Sequence, residues 1–433
     1  MWCLPLRPLP PPQTIDGKSR AAKWPASTRL LVGYARVWCA RVCASGGKGR
    51  AMHELGAALR DVMEDMGPAH VKLAQFLATR GDVPIEVAEE LERARVRALP
   101  PFEEVADLLL EIPGNVRSVR SAPIAASALN VTYLGTWVGD DGAVRTVDIK
   151  VPRPGVRNEL WAFFFKHWLG PDVARQFGRD LDFVGEARRM GLLADGFLGL
   201  SEWNVVPRVL AASPTLLVTE HAQGIPLSKA AEHGYHGPAV ADALLEAFLH
   251  QFMLCDTFHG NAECVRISSS GRPAFVWNDG GAIVETAVDA DAWRDKLVAL
   301  AAAMFRSDVA GSVAVLETMG VLDKADAVTR LVRAFMRALV AKSSDAVLAR
   351  IMASIDADPA WRADLRVAFC SCDPSYFLFG KSIVSLNAIC IALDPTFNIV
   401  SRAAPYVGRM WHSRSTHNRD QAAVFNGIME LTR

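Results

Sequence analysis

The stretch that decides the fold reads Cys255-Asp256-Thr257-Phe258-His259-Gly260-Asn261 and then, after a turn-rich run, Asn278-Asp279-Gly280-Gly281. A carboxylate at Asp256 can accept a hydroxyl proton or orient an attacking group, and the oxygens of Asn261 and Asp279 suit Mg²⁺. The spacing therefore predicts a phosphoryl-transfer site, with Asp256 as the catalytic residue and Asn261 and Asp279 as metal ligands. An ordinary polar loop is the alternative, because such spacing also arises by chance.

The composition is that of a globular protein. The chain has 433 residues, of which 51% are hydrophobic and 22% are charged, and this length suits two domains or one two-lobed domain with extensions. The formal net charge is zero, so we expect no nucleic-acid partner. The eight cysteines form no Cys-x-x-Cys pair, which indicates scattered thiols in a reducing compartment and excludes a disulfide scaffold.

The best candidate for a membrane span is the apolar run from Tyr376 to Leu393. Lys381 and Asn387 interrupt this run, so we predict a buried core helix and no transmembrane helix. A helix that lines a lipid groove is the alternative.

Residues 1–50 form a basic leader. They contain nine Lys and Arg residues and a single acid, Asp16. Thr28–Val42 can form an amphipathic helix, which is typical of an organellar presequence and also of a membrane-surface helix. A disordered leader or an over-extended start site explains the same composition, and the sequence leaves these interpretations open.

Residues 51–115 are predicted to form a helical extension. Apolar residues recur at helical spacing, and Gly67-Pro68 separates the first two helices, because proline suits a first helical turn. Lys72 and Gln75 share one face of the second helix. By itself, such a pair is most often a solvated stripe.

Residues 116–222 show mainly strand patterns. Val147, Ile149 and Val151 alternate with Asp148 and Lys150, so the three apolar side chains should face a core and Lys150 the opposite side. The small residues Ala125, Ala126, Ser127 and Ala128 are predicted to form a loop that lets backbone amides approach a nucleotide.

The next segment should be a helix with Leu181, Val184 and Met190 facing inward. It carries Glu186, the candidate acidic partner of Lys150. Two strands, Val205–Val209 and Thr215–Thr219, then lead into a hinge-type connector that begins at Glu220. Residues 223–433 contain a helix over Ala241–Leu254, the Asp256 loop and further helices.

Seven segments in this order resemble the signatures of the UbiB-type atypical kinases, also called the aarF-domain family, over residues 51–411. They are Lys72–Gln75, Pro123–Ala128, Val147–Val156, Asp180–Ala187, Cys255–Asn261, Asp279–Gly281 and Leu393–Asn398. The resemblance implies an α+β, protein-kinase-like two-lobed fold. Its parts would be the leader (1–50), a helical extension (51–115), an N-lobe (116–222) and a helical C-lobe (223–433).

The resemblance implies ATP and Mg²⁺ as cofactors. Lys150 would hold phosphates, Glu186 would fix Lys150, and Asp256 would act as base or orienter. Other nucleotide-binding residues would be Ala125, Ala126, Ser127, Ala128, Glu220, Lys72 and Gln75. The helix that carries Lys72 and Gln75 would exclude protein substrates from the cleft.

Several family residues are replaced in this chain. The differing residues are Ala74, Leu129, Asn130, Asp180, Thr257, Phe258, His259 and Gly280. Lys150, Glu186, Asp256, Asn261 and Asp279 are retained, so the groups expected to touch phosphate and metal are complete while positioning residues have changed. Because phosphoryl transfer depends on positioning and electrostatics, this favours nucleotide binding more firmly than turnover.

The resemblance further implies an ATPase or small-molecule phosphotransferase linked to ubiquinone or other isoprenoid-lipid biosynthesis. Expected partners are a quinone or isoprenoid lipid, a membrane surface and quinone-biosynthesis proteins. The expected location is a mitochondrion or plastid in a eukaryote and the cytoplasmic face of the membrane otherwise. The alternatives are a pseudokinase scaffold or lipid-binding module without turnover, and a kinase that acts on proteins.

Overall fold

The computed structural model describes residues 48–78, 83–96, 99–109, 113–158, 178–197, 203–260, 265–268, 274–286, 289–322, 324, 326–340, 351, 354–355, 357–369, 372–399 and 402–403. Most of the basic leader and Asn261 lie outside these residues, so the predictions made for them stay predictions. In these ranges the α-helices α1 to α11 are Lys48–Met66, Pro68–Ala78, Ile85–Glu92, Phe102–Leu109, Phe183–Gly196, Gly237–Leu254, Ala290–Phe305, Val309–Thr318, Ala327–Val340, Pro359–Phe369 and Pro374–Leu393.

The strands β1 to β11 of the described residues are Val116–Ala126, Asn130–Val138, Val144–Pro152, Asn204–Val205, Val209–Ala212, Leu217–Glu220, Ile225–Pro226, Thr257–His259, Val265–Ile267, Phe275–Trp277 and Ile283–Glu285. They form a five-stranded sheet of order β1-β2-β3-β6-β5, a four-stranded sheet of order β4-β10-β9-β7, and the pair β11-β8. The presence of both helices and sheets confirms the predicted α+β class.

The chain divides into two compact units. The described parts of 48–112, 120–133 and 150–181 belong to the first unit, and those of 113–119, 134–149 and 182–403 belong to the second. Strands β1, β2 and β3 each contribute residues to both units. Each unit has its own buried apolar side chains.

The first unit is built on the packing of α1, α2 and α3. Gly67, with φ of 114°, ends α1, and Pro68 begins α2, as the sequence predicts. Apolar side chains of the three helices form one buried cluster with Leu129, Val156 and Leu181. A Cβ on Gly56 would come within 2.9 Å of the Val87 Cα, so glycine allows α1 and α3 to approach closely.

Strand β3 follows the predicted alternation. Val147, Ile149 and Val151 are fully buried, whereas Asp148 and Lys150 are partly exposed. The loop predicted over Ala125–Ala128 is wrong for Ala125 and Ala126, which belong to strand β1, and only a tight turn at Ser127–Leu129 joins β1 to β2. The Asn130 backbone N–H donates to Ser127 Oγ at 3.0 Å and closes that turn.

The strand predicted over Val205–Val209 is divided in the structure. Asn204–Val205 pairs in parallel with β10, while Val209–Ala212 pairs antiparallel with β6. Pro207 separates the two parts, and it lacks the N–H that a continuous strand would need.

The main core of the second unit lies around aromatic side chains. Phe248, Phe258, Trp277 and Trp293 are all fully or almost fully buried in it. Helix α11, the predicted core helix, adds the buried Leu386 and Cys390 to the same cluster. In the part of the chain that the structure describes, no helix combines the length and the apolar character needed to cross a membrane.

Helix α5 begins at a carboxylate cap. Asp182 Oδ1 accepts a hydrogen bond from the Gly185 backbone N–H at 2.9 Å. Leu181 and Met190 are buried as predicted, but Val184 is 51% exposed, so its inward placement was wrong. Phe183, next to it, fills the core instead and is fully buried, because the helix begins after the capping residue.

Removing this cap should destabilise the protein. Asp182→Ala deletes the acceptor for Gly185 N–H, and we expect a loss of about 1 kcal/mol in the free energy of unfolding. Urea unfolding followed by circular dichroism measures the change. Asp195→Ala, an exposed acid near the other end of α5, is the matched control and should change the free energy of unfolding by no more than about 0.5 kcal/mol. Equal losses for both variants would contradict the capping role.

Candidate functional site

The candidate residues lie in different parts of the two units. Lys72, Gln75, Lys150 and the Ala125–Ala128 segment belong to the first unit. Glu186, Glu220, Asp256 and Asp279 belong to the second unit, and each group is described within its own unit.

A short antiparallel ladder joins the Asp256 loop to the Asp279 loop. Strand β8 follows Asp256 and pairs with β11, with His259 opposite Ile283 and Thr257 opposite Glu285. The backbone N–H of Thr286 donates to the Asp256 carbonyl at 2.9 Å. The two segments that the motif singled out are therefore neighbours in space, fixed by backbone hydrogen bonds.

Asp279 has an unusual backbone conformation. Its φ of 65° and ψ of 74° are left-handed, and it precedes a 3₁₀ turn over Gly280–Ala282. Its carbonyl accepts from the Ala282 N–H at 2.9 Å. Non-glycine residues rarely adopt this region, and such conformations concentrate at functional sites. The side chain is exposed, so its carboxylate is accessible to a ligand.

Helix α5 lies directly on the backbone of the Asp279 loop. A Cβ on Gly280 would come within 2.5 Å of Met190 Cγ and 2.7 Å of Glu186 Cγ, so no side chain fits there. Arg189 Nε donates to the Gly280 carbonyl at 3.4 Å. Gly280 differs from the family pattern, and the close approach of the helix is a physical reason for a glycine at this position.

This approach brings two carboxylates to one place. The position of a Cβ on Gly281 would be 3.1 Å from Asp279 Oδ1 and 3.9 Å from Glu186 Oε2. Glu186 is 2% exposed, whereas Asp279 is open to solvent. Mg²⁺ in nucleotide sites is commonly held by one or two carboxylates, with phosphate oxygens and waters as the other ligands. The donors present fit that ion, although no group of three or more His, Cys, Asp or Glu side chains suited to a metal occurs among the described residues.

Asp256 is held by an arginine that the motif did not identify. Arg294, on α7, donates to Asp256 Oδ1 at 2.9 Å. The Asp256 side chain is 77% exposed, whereas that of Arg294 is 7% exposed. An exposed carboxylate is therefore anchored to a buried guanidinium.

His259 links the Asp256 segment to the Asp279 loop through hydrogen bonds. It lies in β8, is fully buried, and its Nε2 is 2.7 Å from the carbonyl oxygen of Asn278, the residue before Asp279. Its backbone N–H donates to Oε1 of the buried Gln251 at 2.8 Å. His259 therefore holds the residue before Asp279 in place. The ring of Trp277 packs beside the imidazole of His259, with ring centroids 5.7 Å apart.

Cys255 is a buried structural thiol. Its Sγ donates to the Gly196 carbonyl at 3.4 Å, at the end of α5. Burial raises the pKa of the Cys255 thiol to about 12, against the opposing effect of the Arg294 charge. The thiol is therefore protonated at neutral pH and unsuited to act as a nucleophile.

Two of the signature segments meet within the first unit. Lys72 Nζ lies 2.6 Å from Asp180 Oδ2, and both side chains are partly buried. Gln75 Nε2 donates to the Ala94 carbonyl at 3.3 Å. Although Asp180 differs from the family pattern, it supplies a carboxylate to Lys72. Because Lys72 and Gln75 both make these contacts, they are not a solvated stripe.

Strand β3 and the connector after β6 are joined by polar contacts within the second unit. Asp148 Oδ1 lies 2.8 Å from His221 Nδ1, and Arg145 Nε lies 3.3 Å from Glu220 Oε1. Burial raises the pKa of the Asp148 carboxyl above its ordinary value, and the charge of His221 opposes that rise. Glu220 is the last residue of β6, so the predicted connector begins at the end of a strand.

Comparisons with known proteins confirm the resemblance. Residues 159–316 match the ABC1 atypical kinase-like domain. The chain is 25% identical over 394 residues to Protein ACTIVITY OF BC1 COMPLEX KINASE 7, chloroplastic, of Arabidopsis thaliana, covering 82% of this chain and 54% of that protein. It is 28% identical over 256 residues to Probable protein kinase UbiB of Xanthomonas oryzae pv. oryzae, covering 52% of this chain and 46% of that protein. The chain thus spans about half the length of these curated relatives.

One solved structure shows a similar fold. The Mycobacterium tuberculosis protein Rv3197, solved in complex with erythromycin, aligns with a TM-score of 0.50 and 16% identity, covering 76% of this chain and 89% of that one. At this identity the likeness supports the fold alone. It agrees with the kinase-like domain match and with the α+β architecture.

A methyl group on Gly280 should disturb the site, because it would collide with Met190 and Glu186. We expect Gly280→Ala to lower the free energy of unfolding by about 1 to 3 kcal/mol, the usual range for an overpacked core. Gly281→Ala is the matched control, because its Cβ would meet only carboxylate oxygens at 3.1 Å or more. Thermal and urea unfolding of both variants measures the difference. A Gly280→Ala protein as stable as the Gly281→Ala protein would show that α5 does not lie on the loop backbone.

Proposed function

Because residues 159–316 match the ABC1 atypical kinase-like domain, we propose that the chain binds ATP with Mg²⁺ and acts as an ATPase or small-molecule phosphotransferase. We further propose that this activity supports ubiquinone or other isoprenoid-lipid biosynthesis. The observation that carries the proposal is that the Glu186 and Asp279 carboxylates both border Gly281, with oxygens 3.9 Å and 3.1 Å from the position of its Cβ. The strand that follows Asp256 is paired with the strand that follows this loop.

Each acidic residue has a proposed role. Asp279 and Asn261 hold Mg²⁺, which when bound neutralises charge on the nucleotide phosphates. Asp256 orients the attacking hydroxyl or water, or accepts its proton, through a carboxylate that is exposed to solvent. The family resemblance assigns to Glu186, which is buried, the role of acidic partner of the strand lysine.

The remaining residues bind the nucleotide in this proposal. Lys150 contacts phosphates from the face of β3 opposite the buried valines. The small side chains of Ala125, Ala126, Ser127 and Ala128 let backbone amides approach the phosphates, and Glu220 begins the connector that contacts the base. Lys72 and Gln75 hold their helix in place through Asp180 and the Ala94 carbonyl, and this helix excludes protein substrates.

The proposed partners follow from the family. UbiB relatives point to quinone-biosynthesis proteins and to an isoprenoid or quinone lipid, and the basic residues 1–50 would favour an anionic membrane surface. The chloroplastic relative supports an organellar location in a eukaryote. N-terminal sequencing of the mature protein tests the presequence, because an intact Met1 would contradict it.

A second candidate function is a nucleotide-binding scaffold without turnover. The observation that favours it is the change of residues beside the retained acids, at Thr257, Phe258, His259 and Gly280, because phosphoryl transfer depends on positioning. The complete set of Lys150, Glu186, Asp256 and Asp279 favours the enzyme instead.

Comparison of the native chain with Asp256→Asn separates the two functions. The amide has the same size but cannot accept a proton from the attacking group, so we expect ATP hydrolysis to fall by on the order of 100-fold or more. Stabilisation of the protein by Mg²⁺–ATP in a thermal unfolding assay should persist, since Asp256 is not a proposed metal ligand. The control Asp195→Asn should hydrolyse ATP at the native rate.

The scaffold function predicts a different result for the same two proteins. Equal background hydrolysis by the native chain and Asp256→Asn, with Mg²⁺–ATP stabilisation in both, would select the scaffold. Loss of stabilisation in Asp279→Asn, with native stabilisation in Asp195→Asn, would support the metal site under either function.

A further inference from the structure

The link between Asp256 and Arg294 points to a residue that the motif does not contain. Arg294 lies on α7, and its guanidinium is surrounded by four acceptors. It donates to the carbonyls of Phe252 and Cys255 and to the carboxylates of Asp256 and Asp291. The Arg294 side chain is 7% exposed, and its bonds to the two carbonyls are buried, whereas the Asp256 and Asp291 side chains are each 77% exposed.

Two of the acceptors belong to the end of α6. Phe252 lies in its last turn and Cys255 is its C-terminal capping residue. The last carbonyls of a helix have no partner within the helix, and a cation there also interacts favourably with the helix dipole. Arg294 therefore fixes the point at which α6 ends and the Asp256 loop begins.

The third acceptor is the Asp256 side chain itself. Arg294 binds Oδ1 at 2.9 Å, and in the ranges that the structure describes no hydrogen bond to Oδ2 is present. The carboxylate is thus held by one oxygen while the side chain as a whole stays 77% exposed. Such an arrangement restricts the rotation of the carboxylate and leaves its other oxygen accessible to a substrate.

Helix α7 is itself firmly placed. Asp289 caps its start by accepting from the Ala292 N–H at 2.9 Å. Trp293, next to Arg294, is 1% exposed, donates from Nε1 to Ser375 Oγ at 2.9 Å, and stacks on Tyr376. The packing of Trp293 in the core therefore fixes the rotation of α7 about its axis. The backbone that carries Arg294 is thus held in place.

We propose that Arg294 is a positioning residue for the reaction: it orients the Asp256 carboxylate so that Oδ2 meets the hydroxyl or water that attacks the terminal phosphate. This inference rests on the proposed phosphoryl-transfer function. It adds that the orientation of Asp256 is set by α7, outside both motif segments. A residue that acts through another in this way should affect turnover and leave nucleotide binding almost unchanged.

A double-mutant cycle with the full chain tests the inference. Arg294→Gln keeps the length and polarity of the side chain but removes the charge and most donors. We expect it to lower kcat for Mg²⁺-dependent ATP hydrolysis by on the order of 10- to 100-fold, with KM for ATP within about twofold of the native value. In the Asp256→Asn background, the same substitution should lower kcat no further, because its target is already absent.

Two further variants separate positioning from folding. Arg294→Lys keeps a cation that can reach one acceptor, so we expect a kcat between those of the native chain and Arg294→Gln. Asp295→Asn, an exposed neighbour on α7, should leave kcat unchanged. If Arg294→Gln does not fold, the Arg294→Lys protein, alone and combined with Asp256→Asn, carries the same cycle.

The possible failures are distinguishable. A native kcat in Arg294→Gln, alongside a strong loss in Asp256→Asn, would overturn the positioning role and leave the proposed function intact. Equal fractional losses on the native and Asp256→Asn backgrounds would also overturn it, because they would show a purely structural effect. Absence of Mg²⁺-dependent hydrolysis by the native chain would overturn the proposed function and this inference together.

Discussion

The contact on which the site depends is that of helix α5 with the bare backbone of Gly280. Protein interiors are close-packed, so the absence of one Cβ decides how near a helix can come to a loop. Here the nearest atoms belong to Met190 and Glu186. Because the helix comes this close, the buried Glu186 carboxylate reaches the side of Asp279. Without this approach the two acidic groups would belong to separate parts of the second unit.

Hydrogen bonds from buried side chains hold both the Asp279 loop and the adjoining Asp256 segment. His259 bonds the carbonyl before Asp279, Gln251 bonds the His259 backbone, and Arg294 bonds Asp256. Burial of a polar group costs free energy unless the group is hydrogen-bonded. Each of these bonds therefore restricts the conformations open to the Asp279 loop or to the Asp256 segment. Positioning residues of the family have changed in this chain, and the structure supplies other contacts near the same atoms. Phosphoryl transfer depends on such positioning, so under the proposed function these contacts would bear on activity as well as on stability.

Local patterns in the sequence predicted much of the architecture. The alternation of Val147, Ile149 and Val151 gave the buried face of β3, and the Gly67-Pro68 break gave the start of α2, because both signals depend on adjacent residues. The motif order also identified the family that the comparisons confirm. Val184 was placed wrongly because the helix phase depends on where the Asp182 cap starts it.

Contacts between distant segments could not be predicted in this way. Arg294 is 38 residues from Asp256 in the sequence, and a lone arginine on a helix normally indicates a solvated face. The fit of Gly280 against Met190 likewise joins segments far apart in the chain, so the substitution looked like a loss when only the motif was considered. A signal was present in the arginine's neighbours, since Trp293 beside it suggests a helix face turned toward the core.

The most direct test of this account replaces Mg²⁺ with paramagnetic Mn²⁺ and records the methionine methyl resonances of the ¹³C-methyl-labelled chain with nucleotide. Met190 packs against Gly280, the residue after Asp279, whereas Met336 belongs to a separate buried cluster. The account predicts strong broadening of the Met190 resonance, a sharp Met336 resonance, and loss of the Met190 broadening in Asp279→Asn. A Met190 resonance that stays sharp while nucleotide-dependent Mn²⁺ binding is demonstrated would contradict it.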